Sequence, residues 1–220
     1  MQFKNLIFDF DGVLVESNFI KNDGFRSLFK DYPKNEILQL MTYVENNGGF
    51  SRYNKIRYFF EVIRRESIDV KDMKIWANRY SKLVKEKVIQ AESVIGIDFF
   101  LNYGEKFQSA IVSGSDQEEL REICKLREIN QYFIEILGSP VEKAKNIDQL
   151  IQKKNWDRSK CLYIGDSKND LDAAKSNNIA FLGRISGITD WTKFSVNTIK
   201  NLNELYGYLK KTCISGNFKN

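Results

Sequence analysis

The 220-residue sequence predicts an α/β fold: a parallel sheet covered on both faces, with an all-helical insert after its first strand. Three observations carry that expectation. Short apolar runs recur and end in small or acidic residues. From Ser109 onward, helical patterns separate those runs. Between about Ser17 and Glu92, helical spacing continues without a strand-like interruption. Strands alternating with helices form parallel sheets, and strands buried on both faces read as unbroken apolar runs.

The first run, Asn5–Phe10, ends in Asp9-Phe10-Asp11-Gly12. The insert follows as three helical patterns: Ile37, Leu40, Met41, Val44; then Tyr53, Ile56, Phe60, Ile63; then Met73, Trp76, Tyr80, Leu83, Val84. Ser109–Val112 leads to Ser113-Gly114-Ser115 and a helix marked by Leu120, Ile123 and Cys124. Phe133–Leu137 leads to Gly138-Ser139-Pro140 and a helix marked by Ile147, Leu150 and Ile151. Cys161–Ile164 leads to Gly165-Asp166-Ser167 and a helix with Leu171 and Ala174, and Ile179–Leu182 closes the series before Gly183. The expected division is a core of residues 1–16 and 93–220 and a helical insert of residues 17–92. Open sheets of this type bind ligands beyond the carboxyl ends of their strands, so the polar residues just named are the candidate site.

Composition narrows the chemistry. Hydrophobic residues are 42% and charged residues 29%, which is ordinary globular usage. The net charge of +5 is spread among both signs, with no basic stripe interleaved with aromatics, so a nucleic-acid role is not expected. Histidine is absent, which removes His-dependent triads, His-ligated zinc and His general bases. Cys124, Cys161 and Cys213 lie far apart, arguing against a thiolate metal site or a disulfide framework and for a reducing compartment. Leu6-Ile7-Phe8 runs straight into Asp9 and Asp11 and is no signal-peptide core. Val94–Leu101 contains Asp98 and is too short to span a bilayer. The expectation is a cytoplasmic protein without a membrane partner.

Four segments carry chemistry. Asp9 and Asp11, two apart after a buried strand, fall on one side of an extended segment, where they repel unless a cation or proton intervenes. Oxygen ligands of this kind suit Mg²⁺, and the alternative is an Asx-type turn completed by Gly12. Ser113-Gly114-Ser115 ends the next strand. Ser115 and Glu118 have capping-box spacing, and the Ser113 hydroxyl and Gly114 amide suit phosphate oxygens at a helix start. In Gly138-Ser139-Pro140-Val141-Glu142-Lys143, Ser139 reads as the N-cap and Pro140 as the first helical residue. Lys143 opposes the helix dipole, yet it shares the sheet-facing side with Ile147 and Leu150, so it is the inward ammonium; Lys145 points away. Gly165-Asp166-Ser167-Lys168-Asn169-Asp170 is the most specific segment. Asp166 is able to complete a metal site with Asp9 and Asp11, whereas Asp170 is suited to orient a metal-bound water, pair with Lys143 or cap Ser167.

In this order the four segments resemble the haloacid dehalogenase superfamily of phosphohydrolases, over about Gln2–Glu16 and Ser93–Leu209. The insert is similar in position to the helical cap of the phosphoglycolate phosphatase and beta-phosphoglucomutase branch. The resemblance implies a Rossmann-like core and an Mg²⁺-dependent phosphatase acting on a small phosphorylated metabolite, possible sugar phosphates included. It implies that Asp9 attacks phosphorus and that Asp11 serves as acid and base. The metal is then held by the Asp9 side chain, the Asp11 carbonyl and Asp166, and the phosphate by Ser113, Lys143 and the Gly12 and Gly114 amides. Gly48-Gly49-Phe50-Ser51-Arg52 resembles the loop whose arginine meets a distal phosphate in beta-phosphoglucomutases, which implies Arg52 as a substrate contact with Lys55 or Arg57 beside it. Lys21 stands where those mutases have a histidine near the acid/base, and Lys143 lacks the proline that commonly follows it. The alternatives are a phosphomutase and an inactive metabolite-binding module.

Overall fold

The computed structural model describes residues 3–98, 101 and 106–214. Residues 99 and 100 of the apolar segment Val94–Leu101, and the side chain of Cys213, lie outside the described set. Six parallel strands are described: β1 (Asn5–Phe8), β2 (Gln108–Asp116), β3 (Glu135–Ser139), β4 (Cys161–Gly165), β5 (Ala180–Arg184) and β6 (Asn197–Ile199). They lie in the order β3-β2-β1-β4-β5-β6. The order reverses at β1, which pairs with β2 on one side and β4 on the other: Phe8 faces both Ile111 and Ile164. A crevice therefore opens beyond β1 and β4, where doubly wound sheets bind their ligands.

The expected α/β sheet is present, with strand limits that shift by a few residues. β1 stops at Phe8, two residues before the end of the apolar run, and β2 continues to Asp116 through a register shift between Val112 and Asp116. β6 is an added edge strand of three residues whose burial is confined to Ile199, too little apolar signal to register in sequence.

Alternation along the central strands divides the interior into two layers. Leu6 and Phe8 face one side, with Ile111, Leu162 and Ile164, against the helix α5 (Gln117–Leu126). Ile7, Ala110, Val112 and Tyr163 face the other, against α6 (Lys143–Lys154) and α7 (Lys168–Ser176). Helix α8 (Leu202–Ile214) returns to the first layer through Leu202, Leu205 and Leu209.

Between β1 and β2 the described chain is helical: α1 (Asn18–Leu28), α2 (Lys34–Asn46), α3 (Arg52–Arg57), a π-helical stretch Tyr58–Arg64, and α4 (Val70–Gln90). Its own core is aromatic. Phe29 stacks on Trp76 at 5.1 Å and meets Phe59 at 4.0 Å, while Tyr43 stacks on Tyr58 at 3.6 Å. The two connections between insert and sheet run side by side. Glu16 N donates to Glu92 O at 2.9 Å, Val94 N to Leu14 O at 3.0 Å, and the guanidinium of Arg127 reaches the carbonyls of Val88, Ile89 and Ala91. No helix among the described residues is long and apolar enough to cross a membrane.

Candidate active site

Asp9 follows β1 directly, and its amide donates to Ile164 O at 2.9 Å, so its position is tied to both central strands. Its carboxylate is buried, with Oδ1 accepting from Phe10 N at 2.7 Å and Oδ2 receiving Lys143 Nζ at 2.8 Å. Lys143 also donates to Asp170 Oδ1 at 2.6 Å and is 4% exposed. Asp166 follows β4 and accepts from Asn18 Nδ2 at 2.7 Å. One carboxylate oxygen from each of Asp9, Asp166 and Asp170 falls within 4.8 Å of the others, and all three residues are buried. Burial drives the Asp9 carboxyl well above its ordinary range, Lys143 opposing and Asp170 and Asp166 adding to the rise. Burial and then Asp170 lift Asp166 to about 6. Burial also raises Asp170, but Lys143, Ser167 and Tyr163 outweigh it and hold this carboxyl low. Three buried carboxylates thus share one ammonium, an excess of negative charge that suits a hard divalent cation.

Asp11 reaches the site by a turn. The extended chain ends at Phe8, and Gly12 N donates to Val15 O at 2.7 Å, so a turn rather than two-residue alternation brings Asp11 to the cavity that Asp9 lines. The Asp11 carboxylate leaves the acidic cluster and accepts from Ser17 Oγ at 2.6 Å and Ser115 Oγ at 2.7 Å, with Lys21 Nζ 3.6 Å away. Burial alone would raise its pKa, but Lys21, Ser17 and Ser115 bring it below the ordinary value. Gly12 has φ +73°, and a Cβ there would lie 2.0 Å from Asp166 Oδ2, so the turn requires glycine on both counts.

Two helix starts also differ from expectation. The N-cap of α5 is Asp116, whose carboxylate accepts from the Glu118 and Glu119 amides at 3.2 Å; Ser115 is still in β2 and is thereby free to hold Asp11. Ser139 is the last residue of β3 and is joined to Pro140 by a cis peptide, and α6 starts at Lys143 after Glu142. Lys143 is therefore the first residue of its helix, which brings its ammonium to the strand ends.

The insert closes the crevice. Its loop at Gly48-Gly49-Phe50 lies against β2 so closely that a Cβ on Gly114 would meet Gly49 O at 2.3 Å, and Asn169 Nδ2 donates to Gly49 O at 3.0 Å. The cavity beneath it, still open to solvent, holds about 60 Å³, with Asp9, Asp11, Asp166, Ser113 and Gly114 on the sheet side and Lys21, Arg52 and Lys55 on the insert side. The Ser113 hydroxyl accepts from Ser115 N at 3.2 Å. Arg52 is neither solvated nor free for a distal phosphate. It is 5% exposed, and its guanidinium grips Glu119 with both nitrogens, one at 2.9 Å, alongside Ser81. Tyr53 likewise reaches the core, donating to Asp116 Oδ2 at 2.6 Å. Arg57 lies on the outer side of α3 and does not line the cavity, whereas Lys55 does.

Residues 6–183 match the model of the haloacid dehalogenase-like hydrolases. The chain belongs to that family. Against the phosphoglycolate phosphatase of Vibrio parahaemolyticus, this haloacid dehalogenase-like chain is 34% identical over 86 residues, which is 37% of the chain and 38% of that relative's length. Its fold matches a predicted phosphatase from Clostridium acetobutylicum with a TM-score of 0.75 at 16% identity, covering 96% of this chain and all of the other. It also matches the HAD-hydrolase YfnB from Bacillus subtilis, in a crystal form bound to magnesium, with a TM-score of 0.69 at 17% identity over 96% of this chain and 100% of that one.

Some residues of this haloacid dehalogenase-like site were not found from the sequence. The Tyr163 hydroxyl lies 2.6 Å from Asp170 Oδ1 and 3.0 Å from Val112 O, supporting the carboxylate that holds Lys143. Its signal was a polar tip within a strand buried on both faces, which requires a partner. Ser17 and Asn18, at the start of α1, reach Asp11 and Asp166. Arg184 ends β5 and donates to Gly12 O at 3.2 Å while pairing with Glu16. Neither a spacing nor a motif announced these contacts.

Proposed function

We propose that the chain is an Mg²⁺-dependent phosphatase that hydrolyses a phosphate monoester of a small metabolite through an aspartyl phosphate on Asp9. The observation that carries this reading is the Asp9 carboxylate itself: buried, at the switch point of the sheet, fixed by the Phe10 amide and Lys143, and grouped with Asp166 and Asp170. A carboxylate so oriented is a competent nucleophile.

Asp9 and Asp166 would hold the metal with the Asp11 carbonyl, because the oxygens of Asp170 already engage Lys143, Tyr163 and Ser167. When bound, Mg²⁺ supplies charge neutralisation between Asp9 and a phosphoryl oxygen. Lys143, Ser113 and the Gly114 amide then bind the remaining phosphoryl oxygens; the Gly12 amide, expected to join them, is taken by Val15 O. Asp9 attacks phosphorus as the bond to the ester oxygen breaks, and Asp11 delivers a proton to that oxygen. In the second half, Asp11 takes a proton from water, the hydroxide attacks phosphorus, and phosphate leaves as the Asp9 carboxylate is restored. Ser17, Ser115 and Lys21 aim the Asp11 carboxylate and favour its ionised form, the form that activates water. The proton it delivers to the ester oxygen is taken from the monoanionic phosphate ester as it binds and is regained from water in the second half.

The helices of residues 17–92 act in this reading as a cap that excludes water and sets specificity. A phosphomutase is the weaker reading, because Arg52, the residue that the resemblance assigns to a second phosphate, is committed to Glu119. The test is Asp9→Asn with an aryl phosphate and Mg²⁺. Turnover should vanish while the circular dichroism and Tm of the folded protein persist; undiminished turnover refutes the nucleophile.

A further inference from the structure

Lys143 is tied from below to a residue of β4. Tyr163 stands opposite Ile7 of β1 and is fully buried in the second layer. Its hydroxyl reaches Asp170 Oδ1 at 2.6 Å, and across β1 it comes within 3.0 Å of Val112 O on β2. Burial, with Asp170 and Asp9 adding to it, holds the phenol well above its usual range, so it keeps its proton. One proton serves one acceptor at a time, and the shorter distance to an ionised carboxylate gives it to Asp170. Val112 O is the acceptor to which the O–H turns if Asp170 is removed.

Asp170 is filled on both oxygens. Oδ2 receives the Ser167 amide at 3.0 Å and the Ser167 hydroxyl at 2.6 Å, while Oδ1 is shared by Tyr163 and Lys143 Nζ, the latter also at 2.6 Å. Lys143 in turn divides itself between Asp170 and Asp9. Binding a phosphoryl group asks this ammonium to give part of its interaction to an incoming oxygen. A buried carboxylate opposes that most when the ammonium is the sole donor to one of its oxygens, because that oxygen is then left without a partner. A second donor on Oδ1 removes the penalty. Packing does not call for the hydroxyl, since a phenylalanine ring would fill the same space against Phe181, whose centre lies 6.2 Å away.

We infer that Tyr163 is a positioning residue for phosphoryl binding: by taking a share of Asp170 Oδ1, it keeps Lys143 from being drawn wholly into that ion pair and leaves the ammonium available to a phosphoryl oxygen. This rests on the phosphatase reading for the reaction, but the arrangement of Tyr163, Asp170 and Lys143 is tested by binding alone.

The test is Tyr163→Phe, which keeps the ring and removes one hydroxyl. Binding of inorganic phosphate in the presence of Mg²⁺ is measured by calorimetry, beside kcat/KM for an aryl phosphate and Tm. Phosphate affinity and kcat/KM should both fall by about 10- to 100-fold, the range for a hydrogen bond to a charged group. Added to Asp170→Ala, the same substitution should change either quantity by less than twofold, because the phenol then turns to Val112 O. Phe181→Leu, which loosens the ring and keeps the hydroxyl, should lower Tm and leave phosphate affinity within twofold of wild type. That comparison decides by itself if Asp170→Ala does not fold. A Tyr163→Phe protein that binds phosphate within twofold of wild type overturns the inference, as does an equal loss in Phe181→Leu or in the Asp170→Ala background. The expected loss of phosphate binding in a protein that hydrolyses no ester would uphold Tyr163 and refute the phosphatase reading instead.

Discussion

Arg52 and Glu119 join the insert to the first turn of α5, and replacing Glu119 by Gln removes one charge from a pair that is 5% and 7% exposed. The guanidinium would keep its burial and lose its partner, a change that costs about 3–5 kcal/mol in comparable sites. An independent route gives the same size. Burial would raise the Glu119 carboxyl, but Arg52, Lys21 and Ser81 lower it from 4.5 to about 2, and 1.36 kcal/mol per pKa unit then gives about 3 kcal/mol. The sign follows from the depressed folded-state pKa: the contribution is complete above pH 4.5 and lost as pH falls toward 2. Urea unfolding at pH 7 should therefore show Glu119→Gln less stable than wild type by about 3 kcal/mol, and the gap should shrink to about half by pH 3. The double variant Arg52→Met with Glu119→Leu should recover most of the loss, because two apolar side chains of similar size replace the pair without leaving a buried charge. A single-variant cost under about 1 kcal/mol, a gap that does not change with pH, or a double variant as unstable as the single one would refute the assignment of this pair as a buried clasp.

Two further outcomes follow from the carboxylate cluster. Asp166→Asn should abolish the rise in Tm on adding Mg²⁺; in chelator at pH 7 it should be more stable than wild type, since the raised pKa of Asp166, about 6, means that ionising it costs stability as pH rises through that value. Gly12→Ala should lose Mg²⁺ affinity by tenfold or more in calorimetry and lower Tm, because the added methyl meets Asp166 Oδ2 at 2.0 Å in a backbone with φ +73°.

The sheet was legible because each central strand is an unbroken apolar run, and unbroken runs are what burial on both faces requires. Asp9, Ser113 and Asp166 were legible for the same reason: the topology brings the ends of such runs to one crevice. Lys143 was legible from the helix face that it shares with Ile147 and Leu150. What failed was local. Ser115 and Asp116 are both good caps, and both stand three residues before a glutamate, so the spacing alone allowed an error of one position. Asp9 and Asp11 line one cavity, but Asp11 arrives there through a turn, because the apolar Phe10 concealed a strand that stops at Phe8. Arg52 was read from its loop, while its partner Glu119 lies 67 residues away on another element. Nothing in either segment encodes that meeting, because ion pairing across two layers is a product of packing.

The distribution of charge around the cavity has a consistent logic. Asp11 has Lys21, Asp170 has Lys143, and Glu119 has Arg52, each pair within salt-bridge distance. Asp9 shares Lys143 with Asp170, and Asp166 is met by the neutral donors Asn18 and Ser186. The carboxylates with incomplete compensation are therefore those at the carboxyl ends of β1 and β4, and the uncompensated ammonium, Lys55, is on the insert that covers them. Packing alone favours removing such groups, since each isolated buried charge is unfavourable. An excess of negative charge below and an excess of positive charge above is instead the arrangement that a cation and an anion entering together would complete.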